Sequence, residues 1–359
     1  MNHENSHEKN HQKNHQNNHE NNLIIHTQGA LGIITLDRPS HLNALSLEMI
    51  QGIQAQFEAW ADQPNVQAIL INSNSPKAFS AGGDIRYLYD AYKNNTSNYR
   101  DYFVAEYKML STIRQYSKPV LTFLDGYVLG GGFGLAQACH ILVSSEKSRF
   151  AMPETAIGFF PDVGATHFLS RLDDIGVYFA ITGEQMSSSD ALYLDLIDYH
   201  VPSERLAELL EAISHKPELD QLQIEQIISR FITDPASSDL RALTAVIHQH
   251  FSHATIEEIE SSLAKEQDPL HQAWTEKILN VLQQRSSIAK QTSLKLQHVG
   301  RSLSLEQCMQ LERNLQDIWF EHGDLMEGVR ALLIDKDKQP KWQSHNPTLI
   351  KIIDDLTAA

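Results

Sequence analysis

Three segments of the 359-residue chain concentrate residues able to do chemistry. Residues 77–85 read KAFSAGGDI, residues 125–136 read DGYVLGGGFGLA, and residues 150–165 read FAMPETAIGFFPDVGA. In the second, an apolar strand runs into Gly130-Gly131-Gly132 and then a helix. That arrangement exposes backbone N–H groups at a positive dipole end and lets a ligand come close to the backbone. The Ala81-Gly82-Gly83-Asp84 turn is a second site of the same type. Two such turns can aim two N–H donors at one oxygen, as in an oxyanion hole. Tight turns that need glycine only for a left-handed backbone would give the same spelling. The third segment supplies two carboxylates, Glu154 after Pro153 and Asp162 after Pro161. Neighbouring acids push one pKa up toward neutrality, which suits a general base. The plainer roles are a helix-start acid for Glu154 and an N-cap for Asp162.

Familiar motifs fail by one residue. A dinucleotide fingerprint starting at Gly130 needs glycine where Leu135 stands. No Walker A sequence occurs. Ala78-Phe79-Ser80-Ala81-Gly82 approaches a nucleophile elbow, but its first position is alanine.

These segments must be held by an alternating framework. Strands are expected at residues 32–36, 66–72, 119–126 and around 141–145 and 149–152, with helices at 44–60, 84–92, 97–116 and up to Cys139. Strand–helix alternation implies an α/β layer with crossover helices. After Pro202 the pattern turns helical. Residues 203–213 are amphipathic with Ser203 as expected N-cap, and residues 304–320 open on the capping box Ser304-Leu305-Glu306-Gln307. The expected organisation is a disordered Asn/His-rich tail at 1–22, an α/β core at 23–202 and a mostly helical region at 203–359 that packs on the core.

Composition narrows the partners. The 45 acids outnumber 29 bases, for a net charge of −16, which argues against nucleic acid but not against a small anion held by backbone amides. Cys139 and Cys308 make neither a disulfide framework nor a zinc cassette, and fit a reducing compartment. No apolar run could span a bilayer, and residues 1–22 carry acids and no arginine. A cytoplasmic protein with no membrane partner is expected. Five of the 18 histidines recur every four residues in the tail, a spacing that could capture metal on one helix face. The composition reads instead as a solubilising tail, and no metal site is expected.

Together with LDRPSHLNALSLEMI at residues 36–50, the three segments resemble the crotonase (enoyl-CoA hydratase/isomerase) superfamily. Its 3-hydroxyisobutyryl-CoA hydrolase branch is matched by AFSAGGDIR (78–86), AEYKML (105–110), AMPETAIGFFPDVG (151–164) and EGVRALLIDKDKQPKW (327–342). The resemblance spans roughly residues 23–342. It implies a crotonase-like ββα spiral core, an acyl-CoA substrate, no separate cofactor, and a trimer or hexamer as in relatives. The implied reaction is 3-hydroxyisobutyryl-CoA plus water to 3-hydroxyisobutyrate and CoA, a step of valine catabolism. Carried over by position, the N–H groups of Gly83 and Gly131 become the oxyanion donors, Glu154 the catalytic carboxylate and Asp162 a second acid. Glu106 becomes a contact for the substrate hydroxyl. Hydratases place a first glutamate where this chain has Gly134, which favours hydrolysis. The segment Ala165-Thr166-His167-Phe168 departs from the branch and bears on the shape of the acyl pocket. Arg330, Lys336 and Lys338 are candidates to meet a CoA phosphate, with Asp335 and Asp337 making turn contacts. Another enzyme on the same fold (hydratase, isomerase or lyase) and a non-catalytic CoA-binding protein remain alternatives.

Overall fold

The computed structural model describes residues 18–96, 98–343 and 346–358. The chain winds so that successive strands alternate between two sheets. One sheet holds β1 (Asn18–Glu20), β2 (Leu23–Gln28), β3 (Leu31–Leu36), β4 (Ala68–Ser73), β6 (Val120–Leu124), β8 (Ile141–Ser144) and β11 (Tyr199–His200), in that spatial order. From β3 to β11 every pairing is parallel, while β1, β2 and β3 pair antiparallel. The smaller sheet runs β10 (Met186–Ser187), β9 (Arg149–Ala151), β7 (Tyr127–Leu129), β5 (Ala78–Ser80). Each of the pairs β4–β5, β6–β7 and β8–β9 therefore lays one strand in each sheet before helical chain follows. This is the expected α/β ββα spiral.

Burial on both faces explains the near-continuous apolar spelling of the central strands. Along β4, Ile69 and Ile71 enter the main core while Ala68 and Leu70 enter a second one. The second core is closed by the helices Leu206–Ser214 and Gln221–Ile228. The main core runs on without a break from α1 (Leu47–Ala61) to Trp319 and Leu349, so the C-terminal helices share it. Among the described residues no strand follows His200. Of the expected tail, residues 1–17 lie outside the described residues, and Asn18–Glu20 pair with β2.

Two local expectations are corrected. Helix α1 starts at Leu47, capped by Ser46 Oγ, because Leu45 is used in a β-bridge to Gly83. Ser203 caps no α-helix: it begins a 3-10 turn, and its N–H and hydroxyl both donate to the Glu146 carboxylate. The capping box at Ser304 and Gln307 forms as expected and opens the helix Leu305–His322.

Candidate active site

The two glycine turns meet. Gly82, at φ +101°, brings the chain round after β5, and Gly130, at φ +49°, does so before α4 (Gly131–Ala138). Both are conformations that disfavour a side chain. The first turn is tied down by Leu45, whose N–H donates to Gly82 O at 2.8 Å and whose carbonyl accepts from Asp84 N–H at 3.0 Å. Asp84 then caps α2 (Ile85–Lys93) and pairs with Arg38 at 2.7 Å. Tyr102, on α3 (Asn98–Arg114), donates to Leu45 O and lies behind Gly83. A Cβ on Gly131 would stand 3.2 Å from the Gly83 nitrogen, and one on Gly82 would stand 3.3 Å from the Gly131 nitrogen. The two amides thus border one small space, and neither N–H has an acceptor among the described residues.

Two carboxylates border the same space. Glu154 begins the 3-10 turn Glu154–Ile157, with Oε1 2.6 Å from where a Gly130 Cβ would sit. Glu106 reaches across from α3, with Oε1 2.8 Å from the corresponding Gly131 position. Both side chains are buried, and Glu106 Oε1 and Glu154 Oε2 have no hydrogen-bond partner among the described residues. Burial, reinforced by the charge of Asp162, holds both well above the usual carboxylate range. Asp162 is pushed up to about 8, first by burial and then by the charge of Glu312. The N-cap role for Asp162 does not appear: α5 (Ala165–Phe168) is preceded by Gly164 without a side-chain cap, and Asp162 Oδ2 accepts from Gln316 Nε2 at 2.6 Å.

Aromatic rings pack directly after the turn that carries Glu154. Phe159 stacks on Phe160 at 4.4 Å, both meet Trp319 edge-on, and Trp319 Nε1 donates to Gly158 O at 2.7 Å. The helix Leu305–His322 also supplies Glu312, which is fully buried. Its carboxylate accepts from Gly164 N–H (2.8 Å), Thr166 N–H (2.9 Å) and the Tyr107 hydroxyl (2.9 Å). Sequence reading missed Glu312, Gln316 and Tyr107. A signal existed: Cys308, Glu312, Leu315, Gln316 and Trp319 share the buried stripe of an amphipathic helix, and an acid in such a stripe demands partners. The departing segment 165–168 has a use in that network, since Thr166 supplies one of the donors.

Other sequence candidates fall elsewhere. Ser80 is fully buried, donates to Asn43 O and accepts from Gly82 N–H, so it braces the turn and is no nucleophile. Arg330 does not stand free for a phosphate: Glu327, Asp335 and Asp337 all bond it. Lys336 and Lys338 are exposed. Cys139 and Cys308 are buried free thiols. Among the described residues no acid, histidine and cysteine cluster could hold a metal ion, and no helix is long and apolar enough to cross a membrane.

Comparison with known proteins places this architecture. The enoyl-CoA hydratase/isomerase family model matches residues 31–354. A chicken protein named 3-hydroxyisobutyryl-CoA hydrolase, mitochondrial, is 35% identical over 328 residues, covering 90% of this chain and 84% of that protein. The human protein of the same name is 34% identical over 329 residues, covering 89% and 84%. Among solved structures, an enoyl-CoA hydratase from Rhodobacter sphaeroides superposes with a TM-score of 0.83 at 30% identity, over 94% of this chain and 97% of that one. A carnitinyl-CoA dehydratase from Mycobacterium thermoresistibile gives 0.85 at 26% identity, over 93% and 96%.

Proposed function

The chain belongs to the enoyl-CoA hydratase/isomerase family, and on that premise we propose that it hydrolyses a 3-hydroxyacyl-CoA thioester, 3-hydroxyisobutyryl-CoA being the leading candidate. The thioester oxygen is taken up between the N–H groups of Gly83 and Gly131. Polarised there, the carbonyl carbon accepts an oxygen either from a water whose proton goes to Glu154 or from Glu154 itself, giving a mixed anhydride that water then opens. The carbon–sulfur bond breaks in either route, and CoA leaves as the thiol. Glu106 receives the substrate hydroxyl on its unpartnered oxygen, a polar requirement that discriminates against acyl groups lacking it. Asp162 orients Glu154 or the water. One chain supplies every group named.

The observation that carries hydrolysis over hydration is at Gly134. A Cβ there would overlap Val163 Cγ2 and lie 2.5 Å from Val163 Cβ, so α4 has no room for a second glutamate. Val163 is itself held at φ +53°, a costly conformation for a β-branched residue, with its N–H donating to the Tyr107 hydroxyl at 3.0 Å. The names of the curated relatives support the same reading. The test is thiol release from a panel of acyl-CoAs with and without a 3-hydroxyl. Release confined to the hydroxylated members is expected; loss of enoyl-CoA absorbance without thiol release overturns the proposal in favour of a hydratase. A cytoplasmic location remains part of the proposal, to be set by fractionation against the mitochondrial location in the relatives' names.

A further inference from the structure

Asp162 is held by a chain of hydrogen bonds whose directions are fixed by the groups themselves. Arg313, on the helix Leu305–His322, can only donate, so the atom that it meets on Gln316 at 2.6 Å is the oxygen Oε1. The Gln316 amide nitrogen therefore faces the other way. It donates to Asp162 Oδ2 at 2.6 Å and to the Tyr107 oxygen at 3.3 Å. The Tyr107 hydroxyl also receives the Val163 N–H at 3.0 Å and gives its own hydrogen to Glu312 at 2.9 Å. Turning the Gln316 amide over would set its nitrogen against a guanidinium and its oxygen against a carboxyl oxygen. Gln316 and Asp162 are both buried, where an unmade hydrogen bond is costly.

The backbone around Asp162 is pinned as well. The Gly164 and Thr166 N–H groups end on Glu312, the Val163 N–H on Tyr107, and the Ala165 N–H returns to Asp162 O at 2.9 Å. These bonds leave open the rotation of the Asp162 carboxyl about its own side-chain bonds, and Gln316 settles it. Building on the hydrolytic reading, we propose that Gln316 is a positioning residue for hydrolysis: it holds Asp162 by Oδ2, so that this carboxyl meets the reacting water or Glu154 through Oδ1. Arg313 acts one step further out, by keeping the amide this way round. Because Oδ2 accepts a hydrogen bond from an amide, any proton on Asp162 sits on Oδ1. The placement matters beyond Asp162 itself, since its charge bears on both Glu106 and Glu154.

The test is a double-mutant cycle on thiol release. Gln316→Met keeps the reach of the side chain and removes the amide hydrogens. It is expected to lower kcat by about tenfold with KM unchanged. In an Asp162→Ala background the same substitution is expected to cost nothing further, because Gln316 acts through Asp162. Equal losses in the two backgrounds, or a loss carried by KM, overturn the proposal. If the wild-type protein releases no thiol from any acyl-CoA, the hydrolytic reading fails by itself, and the hold on Asp162 is read without turnover. In protein labelled with heavy nitrogen in its glutamine side chains, one carboxamide resonance pair must move both in Asp162→Ala and in Arg313→Met. No pair that responds to both overturns the proposal. This measurement needs no change at Gln316, so it decides the matter also where Gln316→Met does not fold, and Arg313 is only partly buried.

Discussion

Glu106, Glu154 and Asp162 lie buried around two glycine turns with more acid than base, while Glu327, Asp335 and Asp337 crowd one guanidinium at the surface. Both groups come from sequence segments rich in acids, and their surroundings set them apart. Around Arg330, hydrogen bonds hold both acids below the usual carboxylate range: Glu327 first through the guanidinium, and Asp337 first through the Gln339 N–H and then through the guanidinium. In the site, burial and like charge hold the acids above it. The surface cluster buttresses the fold: it closes the π-turn Arg330–Ile334, whose Leu333 carbonyl accepts from Arg86 on α2, three residues beyond Gly83. A carboxylate becomes a useful base when it is desolvated and denied a counter-ion; the same side chain with a guanidinium beside it is a fastener.

That contrast can be broken at three points. The largest effect is expected at Glu154. Glu154→Gln removes the carboxylate beside Gly130 and should lower kcat by about 10²–10⁴-fold, read as thiol release at saturating substrate. Wild-type turnover in this variant would make the site acids no more than structural.

The middle effect is on stability. Glu106 has its folded pKa above its ordinary value of 4.5, so its contribution is fully present below that value and is lost as pH rises through the folded pKa. Glu106→Gln removes this loss. Its melting temperature should match the wild type near pH 4–5 and exceed it by a few degrees at pH 8 and above. A constant difference across pH would mean that Glu106 is not a desolvated acid.

The smallest effect is at Arg330, and it carries the opposite sign. Glu327 and Asp337 are depressed, so their contribution is present above ordinary carboxylate values and lost as pH falls through the depressed ones. Arg330→Gln should melt slightly below the wild type at neutral pH, with the gap closing in acid, and should leave kcat and its pH limbs unchanged. A shifted limb would join the two clusters into one electrostatic unit.

The framework was legible because its signals are local. Apolar runs at β4, β6 and β8, the capping box at Ser304, and the glycine turns each follow from a few adjacent residues. The start of α1 was misread because Leu45 has helix-like spacing and is taken by a partner 38 residues away, Gly83. Ser203 was misread in the same way, since Glu146 outbids its own helix. Residue by residue, the resemblance also marked Gly83, Glu106, Gly131, Glu154 and Asp162; the structure brings the first four around one space, and the charge of Asp162 bears on both glutamates.

What the sequence determined by itself was the inventory: which turns free their amides, which acids follow a proline or sit in a helix, and that Gly134 carries no side chain. Tertiary structure alone decided the ionisation of those acids and the identity of their partners. Glu312 and Gln316 stand about 150 residues beyond Gly164 and Asp162, and nothing within a helix turn of them announces the Gly164 and Thr166 amides or the Tyr107 hydroxyl. A pKa is fixed by solvent exclusion and by charges a few ångströms away, and the chain assembles both only when the helix Leu305–His322 packs on the core.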